Sequence, residues 1–195
     1  MARIINVLRI QGPPERVMEV WERIKDPHAG LGSVDFNAIT PMPEWVDRGV
    51  LDRDTEEKNS PENCWLQWSR DNWGCEWNAL DAQESARLYD GGDCIRFFTE
   101  DVPVQELIRK LSRMEPDLYL DYLWAGEDVD RGAAAVQFLD GNVTMIYVPT
   151  PGTGRAYQLA FDILQEAPEQ YGYSVDAVTG EYVWRGGTAV GSAEH

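Results

Sequence analysis

Short runs of β-branched and other apolar residues alternate with segments of helical periodicity, and this alternation limits the fold more than any other feature of the chain. Residues 3–10 form the first apolar run and end at a glycine and two prolines at 12–14, which predicts a strand and a break. In residues 15–25 apolar side chains recur three and four positions apart, as in an amphipathic helix. Residues 34–40 alternate again, which predicts a second strand that stops at Pro41. The first unit is therefore β-α-β.

The same alternation continues toward the C-terminus and predicts the class of fold. The later elements are a helix at 61–73, strands at 77–81 and 93–99, a helix at 102–114, strands at 118–124, 133–139 and 143–148, and a helix at 152–167. The last two strands flank Asp140-Gly141-Asn142, which is typical of a hairpin turn. This order predicts an α+β protein with a ferredoxin-like (β-α-β)2 core. We expect a mostly antiparallel sheet with helices on one face, plus a C-terminal hairpin and helix.

A chain of 195 residues suits one domain and can bury a core without disulfides. We predict a single domain at 1–185 and a flexible tail at 186–195. An acidic, tryptophan-rich insertion is expected at about 44–76, with an exposed acidic excursion at 47–62.

The chain carries a formal net charge of −17, from 34 acidic and 17 basic residues. This balance argues against direct binding of nucleic acid, which needs clustered lysine and arginine, and against docking on anionic membranes. It favours a basic protein partner, or it serves only to keep the surface solvated. The short apolar run at 1–10 does not resemble a secretion signal and no apolar stretch is long enough to span a membrane, so we expect a cytoplasmic protein. The oligomeric state does not follow from the sequence.

The sequence contains no recognisable metal or cofactor motif. Its three cysteines are Cys64, Cys75 and Cys94, and none belongs to a C-x-x-C pair. The histidines are His28 and His195, which are poorly placed to complete a zinc site. We therefore predict no metal and no cofactor, with the cysteines as reduced residues that fill the core.

Catalytic signals are equally sparse, so we predict a protein that is not an enzyme. A Cys75–His28 pair would have to be assembled by folding, because the residues are far apart in sequence. Glu76 and Asp81 are the best candidates for an acid–base pair, and the alternative is that they are solvated or pair with Arg70 and Arg87. The glycines of Gly152-Thr153-Gly154 open a helix but lack the lysine of a phosphate-binding loop.

Three runs of the chain resemble the Api92-like, or YubB ferredoxin-like, family of phage and plasmid proteins. They are the run N-W-G-C-E-W-N-A at 72–79, Phe36-Asn37 with Pro41-Met42-Pro43-Glu44, and Phe97-Phe98-Thr99 with Pro103. The matches follow the family's order over residues 1 to about 150. The resemblance implies a ferredoxin-like fold and a mobile-element origin, and it implies no activity. The chain departs from the family at Cys75-Glu76, where Thr-Lys is usual, and at Asp101 or Val102, where the family often has tryptophan.

Four tryptophans lie within thirteen residues and form the first candidate binding site. They are Trp65, Trp68, Trp73 and Trp77. Exposed together, such rings grip a sugar, a base or a side chain of a partner; packed inward, they form the core between helix and sheet. Asn72 and Asn78 are expected to hold the turn at Gly74. The candidate binding residues here are Trp68, Asn72, Trp73, Trp77 and Asn78.

Acidic side chains on the first predicted helix form the second candidate site. Glu15, Glu19, Glu22 and Asp26 fall at i, i+4, i+7 and i+11, so they line one face. A row of carboxylates can imitate DNA phosphate and occupy a basic groove, and the alternative is an ordinary solvated face.

Two hypotheses for function follow. In the first, the chain is a non-enzymatic interaction protein of a phage, plasmid or other mobile element, a DNA-mimic inhibitor of a basic host defence protein. In the second, it is a small-molecule binder or an enzyme that uses the tryptophan-rich segment and nearby carboxylates.

Overall fold

Five antiparallel strands form the central sheet of the protein, and the computed structural model describes residues 2–49 and 63–186 of the chain. The strands are β1 (Arg3–Gln11), β2 (Cys94–Glu100), β3 (Tyr119–Gly126), β4 (Ala133–Leu139) and β5 (Asn142–Tyr147). They lie in the order β2-β1-β3-β4-β5, with every neighbouring pair antiparallel. The fold is therefore α+β, consistent with the predicted ferredoxin-like class.

Six α-helices accompany the sheet within the described residues. They are α1 (Pro14–Ile24), α2 (Phe36–Ile39), α3 (Trp65–Trp73), α4 (Ala82–Leu88), α5 (Gln105–Met114) and α6 (Gly154–Leu164). Two 3-10 turns cover Val129–Arg131 and Pro168–Tyr171, and a small hairpin pairs β6 (Tyr173–Val175) with β7 (Tyr182–Trp184). Most of the predicted acidic excursion at 47–62, and the predicted tail apart from Gly186, lie outside the described residues.

The first face of the sheet carries the larger core. Alternate residues of β1, such as Leu8 and Ile10, point to this face, where they pack with α1 and α5. α1 begins with Pro14 at its first position, where the missing N–H has no helical partner to lose. α5 buries an apolar stripe that includes Leu107 and Leu111.

The second face carries a smaller core, and here the prediction that helices cover one face is wrong. Phe161 and Leu164 of α6 are buried in the same cluster as Ile5 and Phe98 of the sheet. The physical reason lies in the strands. Ile4 and Ile5 are both buried, and so are Phe97 and Phe98, so this end of the sheet is apolar on both faces and needs cover on both.

The predicted strand at 34–40 is also wrong, since the segment forms the short helix α2. The Asp35 side chain accepts a hydrogen bond from the Asn37 amide (2.9 Å), which caps the helix. Phe36 and Ile39, three residues apart, are then both buried on one side of the helix.

The predicted strand at 77–81 is reduced to a single bridge, Leu80 to Phe98. Two β-α-β units are predicted, and the described residues contain the second. In this unit α5 connects β2 to β3, and β1 lies between these two strands in the sheet.

Candidate functional site

Two of the predicted site residues, Trp68 and Trp73, lie in the core beneath α3. Only 9% of Trp68 and 5% of Trp73 is exposed. The two rings meet edge to face with centroids 5.4 Å apart, and Trp73 makes a similar contact with Phe36 at 5.9 Å. The Trp73 indole N–H donates to the Thr40 carbonyl (2.9 Å). These two rings therefore hold α3 against α2, which is the core alternative of the sequence analysis.

Trp77 and Trp65 form a second pair, in which Trp65 packs against the core and Trp77 faces outward. Their ring centroids are 4.8 Å apart with the planes tilted by 44°, and 47% of Trp77 is exposed. Gly74 ends α3 in the left-handed conformation (φ 84°), which turns the chain so that Trp77 returns toward the helix. The Trp65 indole N–H donates to the Gly49 carbonyl (3.1 Å). This bond fixes the Trp65 ring and leaves the ring faces for contact.

A cleft of ≈ 860 Å³ opens beside these rings. This volume is in the range of sites for small organic ligands. Trp65, Trp73 and Trp77 supply its aromatic lining. Its polar lining comes from Asn37, Arg48, Ser69, Glu76 and Asn78. We call this site the tryptophan cleft.

The two predicted asparagines act mainly as supports for the tryptophan cleft. Asn78 accepts a hydrogen bond from the Phe36 amide (2.8 Å) and donates to the Asp35 carboxylate (2.7 Å), so it joins α2 to the chain after α3. Asn72 lies on α3 and donates to the Trp68 carbonyl (2.9 Å). Asn78 reaches the cleft lining, whereas Asn72 does not.

The four predicted acidic residues of the first helix are placed apart from the tryptophan cleft and differ from one another. Glu19 pairs with Arg16, and Glu22 pairs with Lys25. Asp26 follows α1 and accepts hydrogen bonds from the amides of the next turn, at His28 and Ala29, both at 2.8 Å. Glu15 is exposed and makes no ion pair with the described residues. The row of carboxylates is thus partly neutralised and partly used for capping.

Cys75 is buried beside the cleft and is not an activated nucleophile. Its thiol donates to the Trp77 carbonyl (3.0 Å), and burial raises the pKa of the thiol to about 12. A catalytic cysteine needs a lowered pKa instead. His28 is exposed in the turn after α1 and forms no hydrogen bond with Cys75. The three cysteines are free thiols, and the described part of the chain has no group of three or more potential metal ligands.

The predicted carboxylate pair, Glu76 and Asp81, takes part in two different ion pairs. Glu76 pairs with Arg70, and Asp81 lies 3.3 Å from an Arg3 nitrogen. Glu76 therefore has the partner named in the alternative, Arg70, whereas Asp81 pairs with Arg3 and not with Arg87.

A second cleft, of ≈ 670 Å³, lies on the half of the second sheet face that α6 leaves uncovered. In its floor, the Asp121 carboxylate accepts hydrogen bonds from Gln11 (2.5 Å) and Gln137 (2.7 Å) on the two flanking strands. The Arg96 guanidinium donates to the last carbonyls of α6, at Ile163 (2.8 Å) and Leu164 (3.1 Å), and burial lowers its pKa.

This second cleft is not among the sites predicted from the sequence. The signal was present in the polar positions of successive strands, because Arg9, Asp121 and Gln137 lie opposite one another in the ladder. Finding it requires the strand register, which a single sequence does not provide.

Comparison of the chain with known protein families, with curated proteins and with solved structures finds no match. None of the helices in the described ranges is long and apolar enough to cross a membrane.

Proposed function

We propose that the protein binds a small organic ligand in the tryptophan cleft. The observation that carries the proposal is the exposed ring of Trp77, which stacks on the partly buried Trp65 in the wall of a cleft. A large aromatic side chain normally contributes most when it is buried, yet about half of Trp77 faces solvent. Meanwhile Trp68 and Trp73 already supply the core contacts that this region needs.

The geometry favours a ligand with a flat apolar face. The indole N–H group of Trp65 is occupied by a backbone carbonyl, so this side chain offers its ring rather than a donor. Indole rings bind flat apolar surfaces and organic cations. The charged residues of the cleft lining are Arg48 and Glu76, and Glu76 is paired with Arg70, so the lining favours a neutral ligand.

Isothermal titration calorimetry with neutral nucleosides, monosaccharides and aryl amines tests this proposal. We expect at least one class to bind, and Trp77→Ala to weaken that binding at least tenfold without unfolding the protein. Trp184→Ala is the matched control, because Trp184 is an exposed tryptophan (64%) on β7, outside the cleft. Equal loss in both variants, or no binding by any of the three classes, would overturn the proposal.

The acidic surface supports a second candidate, a non-enzymatic interaction protein that imitates DNA and blocks a basic host protein. Its support is the net charge, together with the exposed Glu15, Glu19 and Glu22 on α1. The pairing of Glu19 and Glu22 makes this candidate weaker than the spacing alone implies. Capture of a basic protein that is lost at high salt, and lost when these three residues are changed to Gln, is the expected result. Capture that is indifferent to salt contradicts it.

We also propose that the sheet is a variant of the ferredoxin-like arrangement, in which β2, β1 and β3 are the common strands and β4 and β5 extend the sheet beyond β3. In the complete pattern the strand after the first helix lies beside the strand that precedes the second helix, which is β2 here, and that edge of β2 carries only the Leu80–Phe98 bridge within the described residues. The resemblance to the Api92-like family supports this interpretation of the sheet, and with it a mobile-element origin. Phage or plasmid genes beside the coding sequence are the expected observation, and a stable housekeeping neighbourhood would contradict it.

A further inference from the structure

The outer edge of β5 is open within the described part of the chain. β5 is the last strand of the sheet and pairs only with β4 there. Its side chains are exposed on both faces of the sheet, including Met145 (52%), Ile146 (59%) and Tyr147 (41%). An exposed apolar edge strand offers its free backbone groups to another strand.

The opposite edge of the sheet, β2, is protected by familiar means. β2 carries the charged residues Arg96 and Glu100, and the Phe98 carbonyl is occupied by the Leu80 amide (2.8 Å). Charged residues and a covering segment both discourage pairing with another chain. β5 itself has neither a charged residue nor a proline, and the protection found among the described residues is a bulge near Thr144. Its residues from Met145 onward are therefore the open part of the edge.

The stretch of chain that contains β5 is nearly free of charged residues in an otherwise strongly acidic protein, and the charged side chains that contact its start at Gly141 are Arg109 and Arg113. Residues 132–154 contain a single charged side chain, Asp140, in the turn between β4 and β5. Two copies of a chain with a net charge of −17 repel each other through most of their surfaces. This neutral edge is the place where two copies can approach without bringing carboxylates together.

We propose that β5 pairs with β5 of a second copy of this chain, antiparallel across a two-fold axis, to form a continuous ten-stranded sheet. A two-fold axis makes an edge strand its own complement. The antiparallel direction places each Asp140 beyond the far, uncharged end of the other strand, whereas a parallel pairing would put the two carboxylates side by side. A basic partner is less suitable, because β5 carries no carboxylate that would attract it.

The side chains that would support this pairing lie on both faces of the sheet. Ile146 lies opposite Val136, a residue of the first core, while Met145 and Tyr147 lie opposite Gln137 and Ala135 on the second face. Pairing therefore covers apolar side chains above and below the new ladder. A single short strand gives a small interface, so we expect a reversible dimer of micromolar affinity.

Sedimentation analysis of the full chain, from about 1 to about 100 µM, tests the proposal directly. We expect a concentration-dependent dimer that Met145→Glu and Ile146→Glu each weaken at least tenfold. Val178→Glu is the matched control, because it adds the same charge at a valine that is 94% exposed and outside β5, and it should dimerise like the wild type. Ile146→Lys should also weaken the dimer, although it makes the net charge of the chain less negative. A weaker dimer in this variant therefore shows that a charge at the edge, rather than the total charge of the chain, prevents the pairing.

Hydrogen exchange supplies a readout at the backbone. The outward-facing amides of residues 145–147 should become more protected as the protein concentration rises, and those of β2 should not. A wild type that stays monomeric at about 100 µM would overturn the proposal. So would a dimer that tolerates both glutamate variants, or β5 protection that is independent of concentration, since the edge would then be covered within one chain.

Discussion

The Tyr122 hydroxyl donates a 2.6 Å hydrogen bond to the side-chain oxygen of Asn6, and both residues are completely buried between β1, β3 and the helical layer. The same hydroxyl oxygen accepts from the Val104 amide (2.9 Å), just before α5. Asn6 in turn donates to the Thr99 hydroxyl (3.0 Å) on β2. This network joins three strands to the start of a helix, and burial raises the pKa of Tyr122 far above that of a free tyrosine.

Tyr122→Phe should lower the free energy of unfolding by about 2 kcal/mol, because it leaves the Asn6 oxygen and the Val104 amide without a partner in an apolar interior. Urea denaturation followed by circular dichroism measures the loss. Tyr119→Phe is the control, since Tyr119 is 40% exposed on the same strand, and it should change stability by less than about 0.5 kcal/mol. Equal losses in the two variants would mean that the buried network contributes nothing specific.

Glu115 joins α1 to the end of α5 through two ion pairs. Its side chain is 3% exposed and contacts Arg16 (2.9 Å) and Arg23, which are both partly exposed. Glu115→Gln should lower the free energy of unfolding by about 2 kcal/mol. This loss is smaller than the loss expected when a fully buried ion pair is broken, because both arginines can turn to water. Glu22→Gln removes an exposed pair with Lys25 and should cost less than about 1 kcal/mol. Chemical denaturation of both variants gives the comparison, and a larger loss from Glu22→Gln contradicts it.

Cys75 should make the protein less stable in alkali. Burial raises the pKa of its thiol to about 12, whereas a thiol in the unfolded chain titrates near 8.5. The stabilisation that comes from keeping the Cys75 thiol protonated in the folded protein is therefore complete below about pH 8.5. It is lost as the pH rises toward 12, because only the unfolded chain releases this proton between the two pKa values. By pH 10 the loss should be about 1 to 2 kcal/mol.

The test compares Cys75→Ala with the wild type by urea denaturation at pH 7.5 and pH 10. The difference in stability between the two proteins should shrink at pH 10, while Cys64 and Cys94 contribute equally to both. A difference that is the same at the two pH values would mean that the Cys75 thiol titrates normally in the folded protein.

Periodicity was sufficient to predict the elements that bury one clear face. α1, α5, α6 and the strands β1 to β5 lie close to their predicted positions because each repeats its apolar residues over several turns or pleats. The helix α2 was not predictable in this way. Its four residues fit either period, and the choice depends on the Asp35 cap and on Asn78, which lies 42 residues beyond Phe36.

The second core was predictable in principle from consecutive apolar residues. Phe97 and Phe98 point to opposite faces of β2, and so do Ile4 and Ile5 of β1, which indicates a sheet buried on both sides. The tryptophan cleft was predictable only in part. The spacing of Trp65, Trp68 and Trp73 on a helix indicates an aromatic cluster, but the position of Trp77 depends on the turn after Gly74 and on tertiary contacts.

Trp73 and Trp77, four residues apart, should respond very differently to removal. Trp73→Ala empties a site packed against Phe36 and Trp68 and breaks the bond to Thr40, so it should cost about 4 kcal/mol. Trp77→Ala loses only a stacked contact with Trp65 at a half-exposed position and should cost about 1 kcal/mol. Far-UV circular dichroism in urea is the appropriate measurement, because the substitutions themselves change tryptophan fluorescence. If Trp77→Ala proves as costly as Trp73→Ala, the outer pair belongs to the core, and its role as a ligand surface in the tryptophan cleft is lost.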